Sequence, residues 1–334
     1  MSDYFKNDSI SYSKLRALSV GPAYYKSQME QDSEEKEHFI IGSAVDILLT
    51  ESDKFWDYYY LEFDKFDEDL PSPQMLKFID YLVHNENCGE ITQDCYKEAF
   101  EYAGIKQKKL DTVIKEFSDK YMNYYNYLIK KNIFNINNEG KQLLTVSQYD
   151  LVKNITNSLQ NNRFTSKYFN TDFSNLEIHN QLEIYWEYDN IKCKSKLDKV
   201  IINHVDKTIM LIDLKTTGKS TFSFESSLYQ YRYDIQAAFY GLAFTWLVKN
   251  QWVYLKDYTI SGFYFIVEST KTIGFPLIYK CSDNLLNNAL HGYYKNDKYY
   301  KGIIQLISDY KWYMDNNEWS YDKNIIENEG IIEL

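Results

Sequence analysis

The stretch KSKLDKVIINHVDKTIMLIDLKTTG, Lys194 to Gly218, reads as two strands folded around a tight connection. Apolar residues alternate on both sides of His204-Val205-Asp206-Lys207, which has turn character. Asp198 falls in the first strand, and Asp213 and Lys215 fall in the second. Side chains on a strand alternate with period two, so Asp213 and Lys215 share a face and Leu214 is expected to turn the other way into the core. The triplet sets an anion beside a cation. Carboxylates converging from neighbouring strands suit a hard cation such as Mg²⁺ or Mn²⁺, which prefers oxygen ligands. Such an ion makes a bound water a better nucleophile and draws charge from a phosphoryl oxygen, and an ammonium at Lys215 would orient that water or neutralise the same charge. A plain surface ion pair is the other reading of an isolated D-x-K.

Working outward, Ser227 to Lys249 reads as a helix with apolar positions at Ile235, Ala238, Phe239, Leu242 and Trp246. Gln236 and Tyr240 lie four residues apart on one of its faces, close enough to reach a water or a phosphate together. Thr216 and Thr217, just past the D-x-K strand, are candidate hydroxyl donors to a phosphate. Upstream, LEIHNQLEIYWEY and a turn at Asp189-Asn190 form a further strand. On it Glu183 is expected to share a face with Gln181 and Tyr185 and is an additional candidate acid. Downstream, DYTISGFYFIVES and GFPLIYKC supply two more strands, and long helices are expected from Asn284 to Asn316. Near the start, Ser11 or Ser13 is placed to cap a helix, and Phe39 to Leu49 reads as a second helix. Between them and the sheet, residues 53–73 read as an acidic, aromatic surface segment. Helices are expected over 74–132, one of them ending at Gly104, and again over Thr145 to Leu159.

Taken together these residues resemble the PD-(D/E)xK nucleases, and within them the RecE-like, exodeoxyribonuclease VIII-type phage exonucleases. The likeness rests on Asp198 in KLDKV, on DLKTT from Asp213 to Thr217, and on QAAFY from Gln236 to Tyr240. Near the N-terminus it rests on ISYSKLRALSVGPAYYK (Ile10 to Lys26) and IGSAVDILLTE (Ile41 to Glu51). It covers the first fifty residues or so and about 176 to 280. The resemblance implies an α/β (α+β) fold, a restriction-endonuclease-like core whose mixed central sheet is flanked by helices, with a helical insertion. As one nuclease domain over 1–334, it would comprise N-terminal helices (1–51), the insertion (52–160), the catalytic sheet and motif helix (170–281) and C-terminal helices (282–334).

The same resemblance implies hydrolysis of DNA from duplex ends, 5′ to 3′, in phage recombination or DNA processing. Mg²⁺ or Mn²⁺ would be held by Asp198, Asp213 and the Leu214 carbonyl, with Lys215 acting on the water and Gln236 and Tyr240 positioning water or phosphate. It also implies a ring-shaped homo-oligomer around DNA and a single-strand annealing protein as partner. Where the family usually has a histidine at the metal site, this chain has Asp46, a carboxylate that still suits a hard cation. An endonuclease using the same site, or a weakened nuclease fold that only binds DNA or protein, are the alternatives.

The chain has 334 residues, 44% of them hydrophobic, enough for a large core, and its 4 Pro and 12 Gly argue against long flexible linkers. Its formal net charge of -11 gives no general attraction for DNA, so phosphate contacts must come from local basic residues. The candidates are Lys14, Arg16, Lys192, Lys194, Lys196, Lys219 and Arg232. Cys88, Cys95, Cys193 and Cys281 show no metal-binding spacing and suggest no disulfide framework. MSDYFKNDSISYS lacks the apolar core of a signal peptide, and no apolar run reaches about eighteen residues. The expected setting is the reducing cytoplasm of a bacterial host.

Overall fold

The structure is a computed structural model that describes residues 3–30, 37–67, 69–84, 91–170 and 175–332. Two compact units are present: 1–55 with 147–334, and 56–146 between them.

The first unit is built on a five-stranded mixed sheet flanked by helices. In chain order its strands are β1 (Leu176–Tyr188), β2 (Ile191–Asn203), β3 (Thr208–Thr217), β4 (Thr259–Ser269) and β5 (Leu277–Lys280). They lie side by side in that order. β1, β2 and β3 are antiparallel, β3 and β4 are parallel, and β5 returns antiparallel to β4. The parallel step needs a crossover, and residues 218–258 supply it. The tight connection at 204–207 forms as the alternation predicts, with Lys207 at φ 51° closing it.

Pairing between β2 and β3 stops early. The last partners are Lys199 and Ile212, whereas β3 stays bonded to β4 as far as Thr217. Beyond that point β2 is flanked by the N-terminal segment, where Ile10 exchanges backbone hydrogen bonds with Lys192 and Lys194 at 2.9 and 2.7 Å.

The pleat changes phase at the same level. Core-facing residues of β2 are Cys193 and Leu197 on one side, then Val200 and Ile202 on the other, so the alternation slips by one around Asp198. Opposite this slip Gln181 adopts φ 51°, the left-handed region that a non-glycine residue rarely enters within a strand. Asn180 and Leu182 still pair with Lys199 and Leu197 on either side of it.

Four helices position the site. α1 (Tyr12–Val20) is capped by Ser11, whose hydroxyl accepts from Lys14 N. α2 (Glu37–Thr50) packs on β2 and β3 through Ile41, Ala44 and Val45. It comes close at Gly42, where a Cβ would lie 3.2 Å from Thr216 Oγ1. The expected single helix over 227–249 is in fact two, α3 (Phe224–Gln230) and α4 (Tyr233–Asn250), broken at Arg232, which sits at φ 55°. α4 buries residues all round, including Ile235, Ala237, Phe239, Ala243, Phe244 and Leu247. Each large apolar side chain hidden there contributes about 1.5–3 kcal/mol, which is why the helix tolerates polar residues facing the sheet. Leu214 is half-buried; by strand alternation it lies on the face of buried Ile212, opposite to Asp213 and Lys215.

The C-terminal region is not purely helical. Between Asp283–His291 and Ile303–Asn316 lies a two-stranded hairpin, β6 (Tyr293–Lys295) and β7 (Lys298–Tyr300).

The second unit holds helices Pro73–His84, Gln93–Ala103, Leu110–Glu116 and Met122–Asn137 around its own apolar cluster, with Phe78, Ile79, Val113 and Phe117 fully buried. Its first segment, read from sequence as an acidic, aromatic surface stretch, carries a short strand, Tyr59–Leu61, parallel to Gln142–Leu144. Gln93–Ala103 is capped by Thr92 and ends at left-handed Gly104, as its sequence predicts. Cys193 and Cys281 are free and buried, but Cys95 is disulfide-bonded, a crosslink the cysteine spacing did not suggest. Cys88 lies outside the described residues. No helix among the described residues is long and apolar enough to cross a membrane.

Candidate active site

Asp198 and Asp213 are the first residues beyond the last β2–β3 pair, so the sheet sets them next to each other where the two strands part. Asp198 Oδ2 accepts a hydrogen bond from Leu214 N at 2.8 Å, taking the place of the missing backbone partner. Asp213 is 1% exposed. Its Oδ1 accepts from Gln236 Nε2 at 2.7 Å, so α4 delivers Gln236 to the D-x-K strand as the spacing suggested. Its Oδ2 meets Lys215 Nζ at 2.5 Å as an ion pair outside hydrogen-bond geometry. The Lys215 ammonium also sits 4.8 Å from the Tyr233 ring centroid.

α2 brings Asp46 to this group. Gln181 Nε2 donates to Asp46 Oδ2, while Asp46 Oδ1 is buried with no hydrogen-bond partner. Of the four buried side-chain atoms lacking a partner among the described residues, three are here: Asp46 Oδ1, Asp213 Oδ2 and Gln236 Oε1. Buried acceptors without donors are costly, at roughly 1–3 kcal/mol each, and concentrate where something else is to be bound.

The electrostatics follow from this crowding. Burial, partly offset by the Gln181 hydrogen bond and reinforced by the Asp213 charge, pushes the Asp46 carboxyl up to about 7. Asp198 is raised well above the usual carboxylate range by burial and then by the charges of Asp46 and Asp213. Asp213 is raised by burial, with Lys215 opposing. Burial pulls Lys215 down, but Asp213, Tyr233 and Asp198 outweigh it and its ammonium is held above its ordinary range. Three acids pressed together resist simultaneous ionisation unless positive charge joins them. Tyr240 is 8% exposed, and burial together with nearby negative charge keeps its phenol protonated, a fixed hydrogen-bond donor.

The all-oxygen donor set and the orphaned acceptors fit a hard divalent cation held by Asp46, Asp198, Asp213 and the Leu214 carbonyl. As placed, no three Asp, Glu, His or Cys side chains among the described residues are gathered for metal binding. Lys215, Gln236, Gln181 and Leu214 N each hold one carboxylate oxygen of the group, while Asp46 Oδ1 keeps no hydrogen-bond partner.

Glu183 is not part of this group. It is exposed, pairs across the strands with Lys196, and takes a long 3.4 Å hydrogen bond from Tyr185. The left-handed turn of the chain at Gln181 separates these residues, and Gln181, which sequence reading treated only as a neighbour, is the β1 residue that reaches the acids.

Several expected phosphate contacts have structural roles. Lys194 is 6% exposed and donates to the carbonyls of Tyr4 and Asn7 at 2.6 and 2.5 Å, fixing the N-terminal segment. Arg232 is also 6% exposed, forming two hydrogen bonds to Asp234 at 3.1 and 3.2 Å and one to Lys301 O at 2.9 Å. Lys14 is paired with Asp8 at 2.5 Å. The Thr217 hydroxyl accepts from Lys219 N at 3.2 Å within the loop. Thr216 and Arg16 are half-buried, the latter over the Tyr231 ring. Lys196 lies near the acids and lowers the Asp46 pKa, and Lys192 and Lys219 are exposed.

No family model matches the chain, and no curated protein matches it. A solved structure from Eubacterium rectale, named "Putative exonuclease", aligns with 98% of this chain and 90% of its own, at 13% identity and a TM-score of 0.46. A likeness that distant says nothing of this chain's chemistry.

Proposed function

We propose that this chain is a metal-dependent nuclease that hydrolyses phosphodiester bonds of DNA from duplex ends. The observation that supports it is the buried acid group of Asp46, Asp198 and Asp213, with orphaned acceptor oxygens beside the Lys215 ammonium. Bound Mg²⁺ or Mn²⁺ would supply Lewis acidity toward a phosphoryl oxygen and lower the pKa of water. The Lys215 ammonium is placed to neutralise charge that builds on the phosphate or to orient the attacking water. Gln236 fixes the orientation of Asp213, and the Tyr240 phenol donates to a phosphate or water oxygen. Digestion 5′ to 3′, a role in phage recombination, a partner annealing protein and a ring-shaped assembly extend this reading by resemblance.

Purified protein with linear duplex DNA and Mg²⁺ or Mn²⁺ is expected to release nucleotides. Asp213→Ala and Lys215→Ala are each expected to abolish the release, and equal activity on closed circles would make the enzyme an endonuclease. Wild type and variants behaving alike would end the catalytic reading. Because the carboxylates are held by protein donors rather than gathered for an ion, a second reading is a nuclease fold that binds DNA or protein without cutting. Calorimetric titration with Mn²⁺ separates the two, since a degenerate site takes up no ion.

A further inference from the structure

We infer that Arg16 anchors a backbone phosphate of the DNA strand, in a tyrosine-walled subsite beside the acid group; the inference rests on the nuclease reading for its purpose and on its own geometry for its chemistry. Most basic residues around the site are engaged within the protein: Lys14 by Asp8, Lys194 by the carbonyls of Tyr4 and Asn7, Arg232 by Asp234 and Lys301 O. Lys219 donates to Gln230 Oε1 at 3.3 Å. Arg16 differs from these. It is half-buried, its one charged contact is with the Tyr231 ring, and among the described residues its guanidinium has no hydrogen-bond acceptor and no carboxylate partner.

The wall on which it stands leads to the acid group. Arg16 and Tyr12 lie one turn apart on α1 and share a face. The Tyr12 hydroxyl donates to Tyr231 O at 2.6 Å, which docks that face on the break between α3 and α4. Left-handed Arg232 turns the chain there, and the rings of Tyr231 and Tyr233 come to lie 5.6 Å apart. The Arg16 guanidinium is 5.2 Å from the Tyr231 centroid, just as the Lys215 ammonium is 4.8 Å from that of Tyr233. Two cations therefore stand on neighbouring rings. Lys215 faces Asp213, and Arg16 faces no acid. Electrostatics join the two: burial raises the Tyr233 phenol, Lys215 and more weakly Arg16 draw it down, and Asp213 pushes it up. Tyr12 is raised by burial and by Tyr233, with Arg16 opposing and Asp213 adding to the rise.

A half-buried guanidinium with no internal acceptor takes an anion from outside, and its planar fork of donors matches two oxygens of one phosphate. A strand whose scissile phosphate meets Lys215 carries further phosphates past the same wall. In a chain of net charge -11 such a contact must be local, and it sets the strand's register without reading its sequence.

The test is fluorescence anisotropy of a fluorescein-labelled linear duplex with the full chain in EDTA, so that nothing is cut. Arg16→Ala should weaken binding roughly 10- to 150-fold at low salt and flatten the slope of log affinity against log salt by about 0.9. Arg16→Met, which keeps an apolar stem over Tyr231, should behave the same way. Arg16→Lys keeps the charge and loses the fork, so it should restore the slope and only part of the affinity, a split that a packing role does not produce. A single uncharged methylphosphonate walked along the duplex should weaken wild type at one internal linkage to which Arg16→Ala is indifferent. The inference is overturned if wild type does not bind the duplex, or if Arg16→Ala keeps wild-type affinity and slope. It also falls if Arg16→Ala responds to every methylphosphonate as wild type does, or if its loss is confined to ends bearing a terminal phosphate. Arg16-dependent binding in a chain that never cuts DNA would refute the nuclease reading alone, and metal-dependent cleavage with Arg16-independent binding would refute this one alone.

Discussion

Replacing Gln181 isolates how Asp46 is held. Its amide donates to Asp46 Oδ2 and leaves Oδ1 as the buried oxygen without a partner. Removing a residue that orients a metal ligand typically costs 10–100-fold in metal affinity, so on the metal-dependent reading proposed above Gln181→Ala should weaken Mn²⁺ binding by about that factor. The backbone adds a second readout. At φ 51° an alanine retains the left-handed cost of about 1–2 kcal/mol that glycine avoids. Gln181→Gly should therefore be about 1–2 kcal/mol more stable than Gln181→Ala while binding the ion just as poorly. Calorimetric Mn²⁺ titration and urea unfolding of the three proteins measure both. The reasoning is refuted if either variant binds Mn²⁺ like the wild type, or if glycine and alanine unfold at the same urea concentration.

Other outcomes concern the remaining buried and paired groups. Asp234→Ala strands the Arg232 guanidinium in the interior and should cost about 3–5 kcal/mol in denaturant unfolding, whereas breaking a solvent-exposed pair such as Lys97–Asp94 should leave the unfolding midpoint where it is. Burial works to raise Glu177, but hydrogen bonds from His179, Tyr254 and His204 bring it below its ordinary value. A depressed carboxylate gives stability that is present above its unfolded value of 4.5 and lost as pH falls through the folded one. Glu177→Gln should thus lower the melting temperature at pH 7 and converge with wild type in strong acid; a constant difference at all pH values would count against it. Burial raises the Cys193 and Cys281 thiols to about 12, so iodoacetamide should label them only after unfolding.

What could be read in advance was local. Alternation around residues 204–207 gave the hairpin, and the four-residue spacing of Gln236 and Tyr240 put them on one helix face, where Gln236 reaches Asp213. Gln181 was passed over because period-two reasoning grouped it with Glu183, and nothing in a glutamine's own propensities signals a left-handed backbone. That conformation is imposed by pairing with β2 and by contact with a helix 135 residues earlier. Arg232 and Lys194 looked like surface charges for the same reason, since their partners at Lys301 and at Tyr4 and Asn7 are distant in sequence. The β6–β7 hairpin lies inside the stretch read as long helices, because strands of three residues are too short to show an alternation.

The early end of the β2–β3 ladder fixes where an opening lies before any side chain is chosen. β3 is the strand at which an antiparallel neighbour gives way to a parallel one, so the opening beside residues 213–217 follows from chain connectivity and not from the side chains that fill it. The side chains around that opening, the acid at 46 and the amide at 181 among them, can therefore be exchanged one at a time without moving the place where the two strands part.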